Sequence, residues 1–304
     1  MDSLTPIPLP GTVRLAPGGG GLPRLLIANP QAEAEIYLMG AHCTHFQPRG
    51  QAPVLWLSPQ SRFQTGTPIR GGVPLCWPWF GPHPSRTDLP AHGFARTATW
   101  QLAQAHTTPQ GDTVIALTLA SSPATLLLWP HPFRLTLVVT VGSALSIALT
   151  TENTGIQPFP FEDALHTYLA VADASRIDIT GLSGVSYRDK VRGGEHGRQD
   201  TPLRIVGEVD RVYLDTTTAV TVSDPAGARA LTVSKQGSSS TVVWNPGAAK
   251  AATMADLGAH AWPHLVCIET ANALGNALTL PAGARHHTSM TVTCNPAPTP
   301  AGLS

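Results

Sequence analysis

The chain has 304 residues, 42% of them hydrophobic and only 12% charged, with 19 basic against 19 acidic side chains and a formal charge of +0. Such a length and apolar content can fill a large core in one big all-β domain or two smaller ones, which excludes disorder for the body of the protein. The balanced charge, with no polybasic run, excludes nucleic acid and an anionic membrane surface as expected partners. A charged fraction about half of the roughly 25% usual in soluble domains makes every ionisable group in an apolar stretch informative.

The N-terminal MDSLTPIPLPGTVRLAPGGGG lacks the basic start and apolar run of a signal peptide, and no window is long and apolar enough to span a bilayer. The expectation is a soluble cytoplasmic protein, a monomer with no membrane partner. Gly18 to Gly21 and the tail NPAPTPAGLS are expected to be mobile around a core of about residues 22 to 295. Short strands are predicted at AEIYLM and VLWLS. Cys43, Cys76, Cys267 and Cys294 form no C-x-x-C pair, so they read as reduced, mostly buried thiols. His42 with His45, and His286 with His287, sit on alternating strands and do not converge, so no metal site is expected.

From Arg70 to Arg96, RGGVPLCWPWFGPHPSRTDLPAHGFAR, the periodicity stops. Val73, Leu75, Cys76, Trp77, Trp79 and Phe80 follow neither helical spacing nor alternation, and glycines and prolines interrupt regular hydrogen bonding. An ordered aromatic loop of this length forms a binding wall or, equally on this stretch alone, a surface loop pinned by its tryptophans. Arg70 and Arg96 bound it, with Arg86 a possible third cation. Guanidinium forks match phosphate oxygens, so the loop suggests an anionic sugar, with aromatics for the ring face and arginines for the phosphate; two surface ion pairs remain the alternative.

Period-two alternation then dominates. TVIALTLA is a strand, and RLTLVVTVGSALSIALTTENTG is a hairpin with a two-residue turn at Gly142-Ser143. Two further hairpins are predicted around the PAGA tetrapeptides, AVTVSD with RALTVS and NALTL with RHHTSMTVTC. SRIDITGL, STVVWN and HLVCIET complete the strands, a one-turn helix is expected near Ala251 to Asp256, and PFPFEDALHTYLAV fits no single pattern. With 29 prolines, 28 glycines and no internal repeat, the prediction is one all-β domain, a large antiparallel β-sandwich with few short helices.

Three polar groups stand in apolar, strand-like settings: His92 in PAHGFAR, His166 in DALHTYLAV and Glu269 at the end of HLVCIET. Alone, His166 reads as a core histidine and Glu269 as half of a structural ion pair. Together they can give and take a proton at once. Asp210 with Arg211, in EVDRVYLD, is a salt bridge or a hydroxyl ligand. No nucleophile elbow, P-loop or dinucleotide fingerprint is present.

RGGVPLCWPWFGP, LPAHGFAR, FEDALHTYLAV, VDRVY, VVWNPG followed by MADL, and VCIETAN occur in one order over about residues 35 to 295. In this the chain resembles the aldose 1-epimerase superfamily, most closely its hexose-6-phosphate mutarotase branch. The resemblance implies a galactose-mutarotase-like β-supersandwich and an isomerase that interconverts α and β anomers of hexose 6-phosphates, glucose 6-phosphate foremost, without a cofactor. It implies His166 as the acid on the ring oxygen, Glu269 as the base on the anomeric hydroxyl, His92 and Asp210 as ligands of sugar hydroxyls, and Arg70 and Arg96 as phosphate ligands. On reference values, Glu269 is expected to be ionised at neutral pH, with His166 titrating nearby. Ala91 departs from relatives that carry glutamine there, removing one side-chain contact. A mutarotase for unphosphorylated aldoses and a non-catalytic sugar-phosphate binding protein are the alternatives.

Overall fold

A computed structural model describes residues 7–296, so the last part of the tail expected to be mobile lies outside the described residues. Every strand pair is antiparallel. The most regular sheet has eight strands, running Asp178–Thr180, Val220–Asp224, Arg229–Gln236, Arg285–Pro296, Leu145–Asn153, Phe133–Val141, Thr113–Ala120 and Gln101–Thr107 from edge to edge. Its alternation is literal. Leu135, Leu137, Val139 and Val141 are buried while the residues between them are at least partly exposed, because successive side chains of a strand leave on opposite faces.

The second large sheet carries the site. Its order is Glu195–Arg198, Ser186–Asp189, Val209–Tyr213, Ser240–Asn245, Leu265–Asn272, Asp163–Leu165 and Leu75–Cys76, with Tyr168–Ala170 also pairing on the 265–272 strand. A third sheet of four strands spans Val13–Pro17 to His42–Pro48. Leu25 and Ile36 from this third sheet, Leu137 and Ile147 from the regular sheet, and Val243, Val266 and Ile268 from the site sheet join in one buried cluster. All eight residues of the 265–272 strand are buried, so both of its faces are covered. Val266 and Ile268 face the shared core; Leu265, Cys267, Glu269 and Ala271, by parity, face away from it.

Several local expectations are revised. Val141 pairs with Leu145, so the hairpin loop has three residues, Gly142 to Ala144, where Ser143 N–H donates to Gln31 Oε1 (2.8 Å). Leu278–Leu280 pairs with Phe159–Phe161 instead of the strand after its PAGA turn, so only the first PAGA segment closes a hairpin. VLWLS makes isolated bridges at Leu55 and Leu57 and no strand. The late helix is Gly247–Thr253, slightly earlier than expected, and an unexpected helix at Pro123–Leu128 starts from a Ser122/Thr125 capping box. Gly19–Gly21 forms a 3-10 turn in which Gly19 N–H donates to Tyr37 Oη (2.9 Å). No helix among the described residues is long and apolar enough to cross a membrane.

Candidate active site

The PFPFEDALHTYLAV segment, unreadable from pattern, becomes three short strands, and its break at His166-Thr167 builds the site. Leu165 pairs with Thr270 and Tyr168 with Cys267. That shared register sets His166 across from Glu269, with His166 Nε2 3.3 Å from Glu269 Oε1. His166 N–H is held by the Pro74 carbonyl (3.0 Å), and the Tyr168 ring stacks on the imidazole at 4.8 Å and 8°. One nitrogen of the ring, Nδ1, and one oxygen of the carboxyl, Oε2, are buried without a partner. Unpaired buried polar atoms are costly, and they persist where a ligand completes them.

The expected protonation is revised. Glu269, 1% exposed, is pushed well above the usual carboxylate range by burial and then by Asp210, against the pull of Lys190 and Arg96. His166 is pushed well below its ordinary value by burial first, with Arg70 and Arg96 among the further causes. Burial thus disfavours the charged form of each member of the pair. Both directions favour a protonated carboxyl and a neutral imidazole over the ionised Glu269 that its reference value implies.

Arg70 and Arg96 enter from the two ends of the aperiodic loop. Gly71 and Gly72 have positive φ, and a Cβ on either would sit within 2.5 Å of a backbone oxygen, of Trp56 and Cys43 respectively. Those glycines let the loop thread between neighbouring segments and fix Arg70. Its Nε and Nη2 donate to Asp256 Oδ2 (3.1 and 2.9 Å) and its Nη1 to Tyr168 Oη (3.0 Å). Buried His42 contacts the Gly71 carbonyl through Nε2 at 2.7 Å. Arg96 Nη2 donates to the Ala91 carbonyl (2.7 Å), while its buried Nε has no partner.

His92 sits in the left-handed region at φ 66°, and its Nδ1 accepts from Gly81 N–H (3.2 Å). Burial, then the nearby cations, pushes it down to about 3. It is therefore neutral with its proton on Nε2, a donor for a hydroxyl. A non-glycine residue in this conformation marks backbone strain that the surroundings must hold. Asp210 pairs in register with Trp244, which pairs with Cys267, so Asp210 shares the site face; its Oδ2 lies 3.4 Å from Lys190 Nζ.

All six expected site residues line one cleft of about 350 Å³, within the range of small-molecule sites. Two expectations do not survive. Trp77 is fully buried against Phe94, Trp129 and Phe133, and Trp79 donates its Nε1 to the Pro90 carbonyl; the aromatics on the cleft are Phe80, Tyr168 and Trp244. Arg86 is taken by Asp88 (2.6 Å) and does not line the cleft. Arg211 bonds Asp189 away from it. Sequence reading missed Lys190, Tyr168 and Trp244, and left Lys250 without a role. The scarcity of charge was a signal for the lysines.

Sandwich and cleft together define a carbohydrate-epimerase architecture: the chain belongs to the aldose 1-epimerase family, whose model matches residues 23–293. It is 38% identical over 256 residues to an Escherichia coli (strain K12) protein named "Putative glucose-6-phosphate 1-epimerase", covering 82% of this chain and 83% of that one. A Cenchrus ciliaris protein of the same name is 33% identical over 259 residues, covering 82% and 78%. The crystal structure of a "putative mutarotase" from Salmonella typhimurium superposes with a TM-score of 0.89 at 31% identity, over 96% of each chain.

Proposed function

We propose that the protein interconverts the α and β anomers of glucose 6-phosphate and related hexopyranose 6-phosphates. The carrying observation is that two arginines line the cleft of the proton-transfer pair, Arg70 on the acid's side of it. In the site sheet, Glu269 lies on a central strand; His166 follows the strand on one side, and beyond it runs the 75–76 strand, into which Arg70 leads. On the anomeric carbon of a pyranose, the base addresses the hydroxyl and the acid the ring oxygen. Beyond that oxygen come C5 and C6, which bears the phosphate. Cations next to the acid are therefore where a 6-phosphate falls.

His166 delivers a proton to the ring oxygen as Glu269 takes one from the anomeric hydroxyl. The C1–O5 bond breaks, an aldehyde forms, the C1–C2 bond rotates, and closure with the proton flow reversed gives the other anomer. This requires the pair's proton on the imidazole. A phosphate dianion beside Arg70 offsets a charge that holds His166 down and is not among the groups acting on Glu269, and so favours the proton on the imidazole. Substrate binding thus arms the acid. His92 and Asp210 hold hydroxyls, and no step calls for a cofactor.

Glu269→Gln keeps the shape and removes the base. Anomer equilibration of glucose 6-phosphate, followed by NMR or a coupled dehydrogenase, is expected to slow by about 10²- to 10⁴-fold. Undiminished turnover by the folded variant contradicts the proposal.

A further inference from the structure

Two lysines reach the cleft, and they differ in what they already hold. Lys250 Nζ is committed to Glu208 Oε1 at 2.6 Å. Lys190 Nζ makes one long contact, to Asp210 Oδ2 at 3.4 Å, and its ammonium lies 5.2 Å from the Phe80 ring centroid. Its side chain is 34% exposed, and that of Asp210 15%. Lys190 is also placed rigidly. It opens a 3-10 turn directly after the 186–189 strand, and Asp189 caps that turn by accepting from Val191 N–H (3.1 Å).

Strand order fixes which part of a substrate this pair meets. Asp210 is on the 209–213 strand, two strands from Glu269 on the side away from His166, and Lys190 directly follows the next strand outward. C1 has two ring neighbours, O5 and C2. With O5 at His166, C2 falls on the Asp210 and Lys190 side. An ammonium and a carboxylate with free hydrogen-bonding capacity, 3.4 Å apart, suit a hydroxyl that accepts from one and donates to the other. The Phe80 face holds the ammonium in place meanwhile.

We propose that Lys190 is a specificity-determining residue that donates to the C2 hydroxyl of the bound hexose phosphate. The proposal rests on the 6-phosphate reading of the cleft. A hydrogen bond to a charged group is worth about 10- to 100-fold in efficiency. The test measures kcat/KM for anomerisation of glucose 6-phosphate and 2-deoxyglucose 6-phosphate by the intact protein and by Lys190→Met and Lys190→Arg. Comparing substrate ratios between proteins cancels the different intrinsic reactivity of the two sugars.

Lys190→Met is expected to lose about 10- to 100-fold on glucose 6-phosphate and little on the 2-deoxy sugar, with Lys190→Arg restoring much of the difference. Equal losses on both substrates, or no loss on either, overturn the Lys190 assignment alone. Failure of the unaltered protein to turn over either hexose phosphate overturns this assignment together with the reading beneath it.

Discussion

The two eight-stranded sheets are built on opposite terms. The regular sheet runs long strands through consecutive hairpins, with Leu137, Val139 and Ile147 buried on its inner face. The site sheet is made of short strands gathered from across the chain, is covered on both faces at its centre, and buries His166, Glu269 and Asp163. One sheet keeps its alternation through neighbouring strands such as 133–141 and 145–153. In the other, alternation is interrupted at His166-Thr167, and the interruption brings an imidazole against a carboxyl. Chemistry in this fold sits where regularity is given up, and polar groups are buried there at a cost in stability.

Substitutions in the two sheets should therefore separate stability from activity. Glu269→Gln has the largest expected effect on turnover and the opposite sign on stability. Its raised folded pKa means that the native state holds a proton the unfolded chain releases above its ordinary value near 4.5. Native stability is lost as pH rises through that window, and glutamine is exempt. Thermal melts should show the variant gaining on the wild type from about pH 4.5 upward. In the regular sheet, Leu137→Ala should cost about 2–5 kcal/mol in denaturant unfolding, through the cavity it leaves, with normal turnover per folded molecule. A large activity loss from Leu137→Ala, or a stability loss from Glu269→Gln at neutral pH, breaks the contrast.

A smaller effect is expected at Tyr168, which touches both Arg70 and the face of His166. Tyr168→Phe keeps the stack and deletes one Arg70 contact, so steady-state kinetics should show about a tenfold rise in KM for glucose 6-phosphate with kcat largely retained. The last effect is on stability alone and concerns acid. His42 is pushed down to about 4 by burial, so between roughly pH 6.5 and 4 the unfolded chain takes up a proton that the native state refuses. Stability falls as pH drops through that window, by about 1.4 kcal/mol per pH unit for one proton. His42→Gln should flatten that slope in melts at stepped pH.

The same contrast explains what could be read from the sequence. The regular sheet was legible because its residues obey a local rule: Leu135 to Val141 alternate, and they fold as they alternate. The pairing of Leu278–Leu280 was not, because the partner at Phe159–Phe161 is distant in sequence and the PAGA turn suggested a nearer one. Arg70, His92, Arg96, His166, Asp210 and Glu269 could be picked out as charges or histidines in a chain with few of them, together with the motif order. Their convergence could not. It depends on register across strands far apart in sequence. Trp77 misled for a related reason: a tryptophan in a loop looks like a ligand platform, but this one fills the core.

The central claim is that a proton-transfer pair is matched to a phosphorylated sugar by the arginines of its cleft. Magnetisation-exchange NMR on equilibrated anomers tests it most directly, with glucose 6-phosphate and glucose measured side by side for the wild type and for Arg96→Ala. The account predicts exchange on glucose 6-phosphate at least about 100-fold more efficient than on glucose, with Arg96→Ala removing most of that advantage. Equal efficiency on the two sugars, or an advantage untouched by Arg96→Ala, would contradict it.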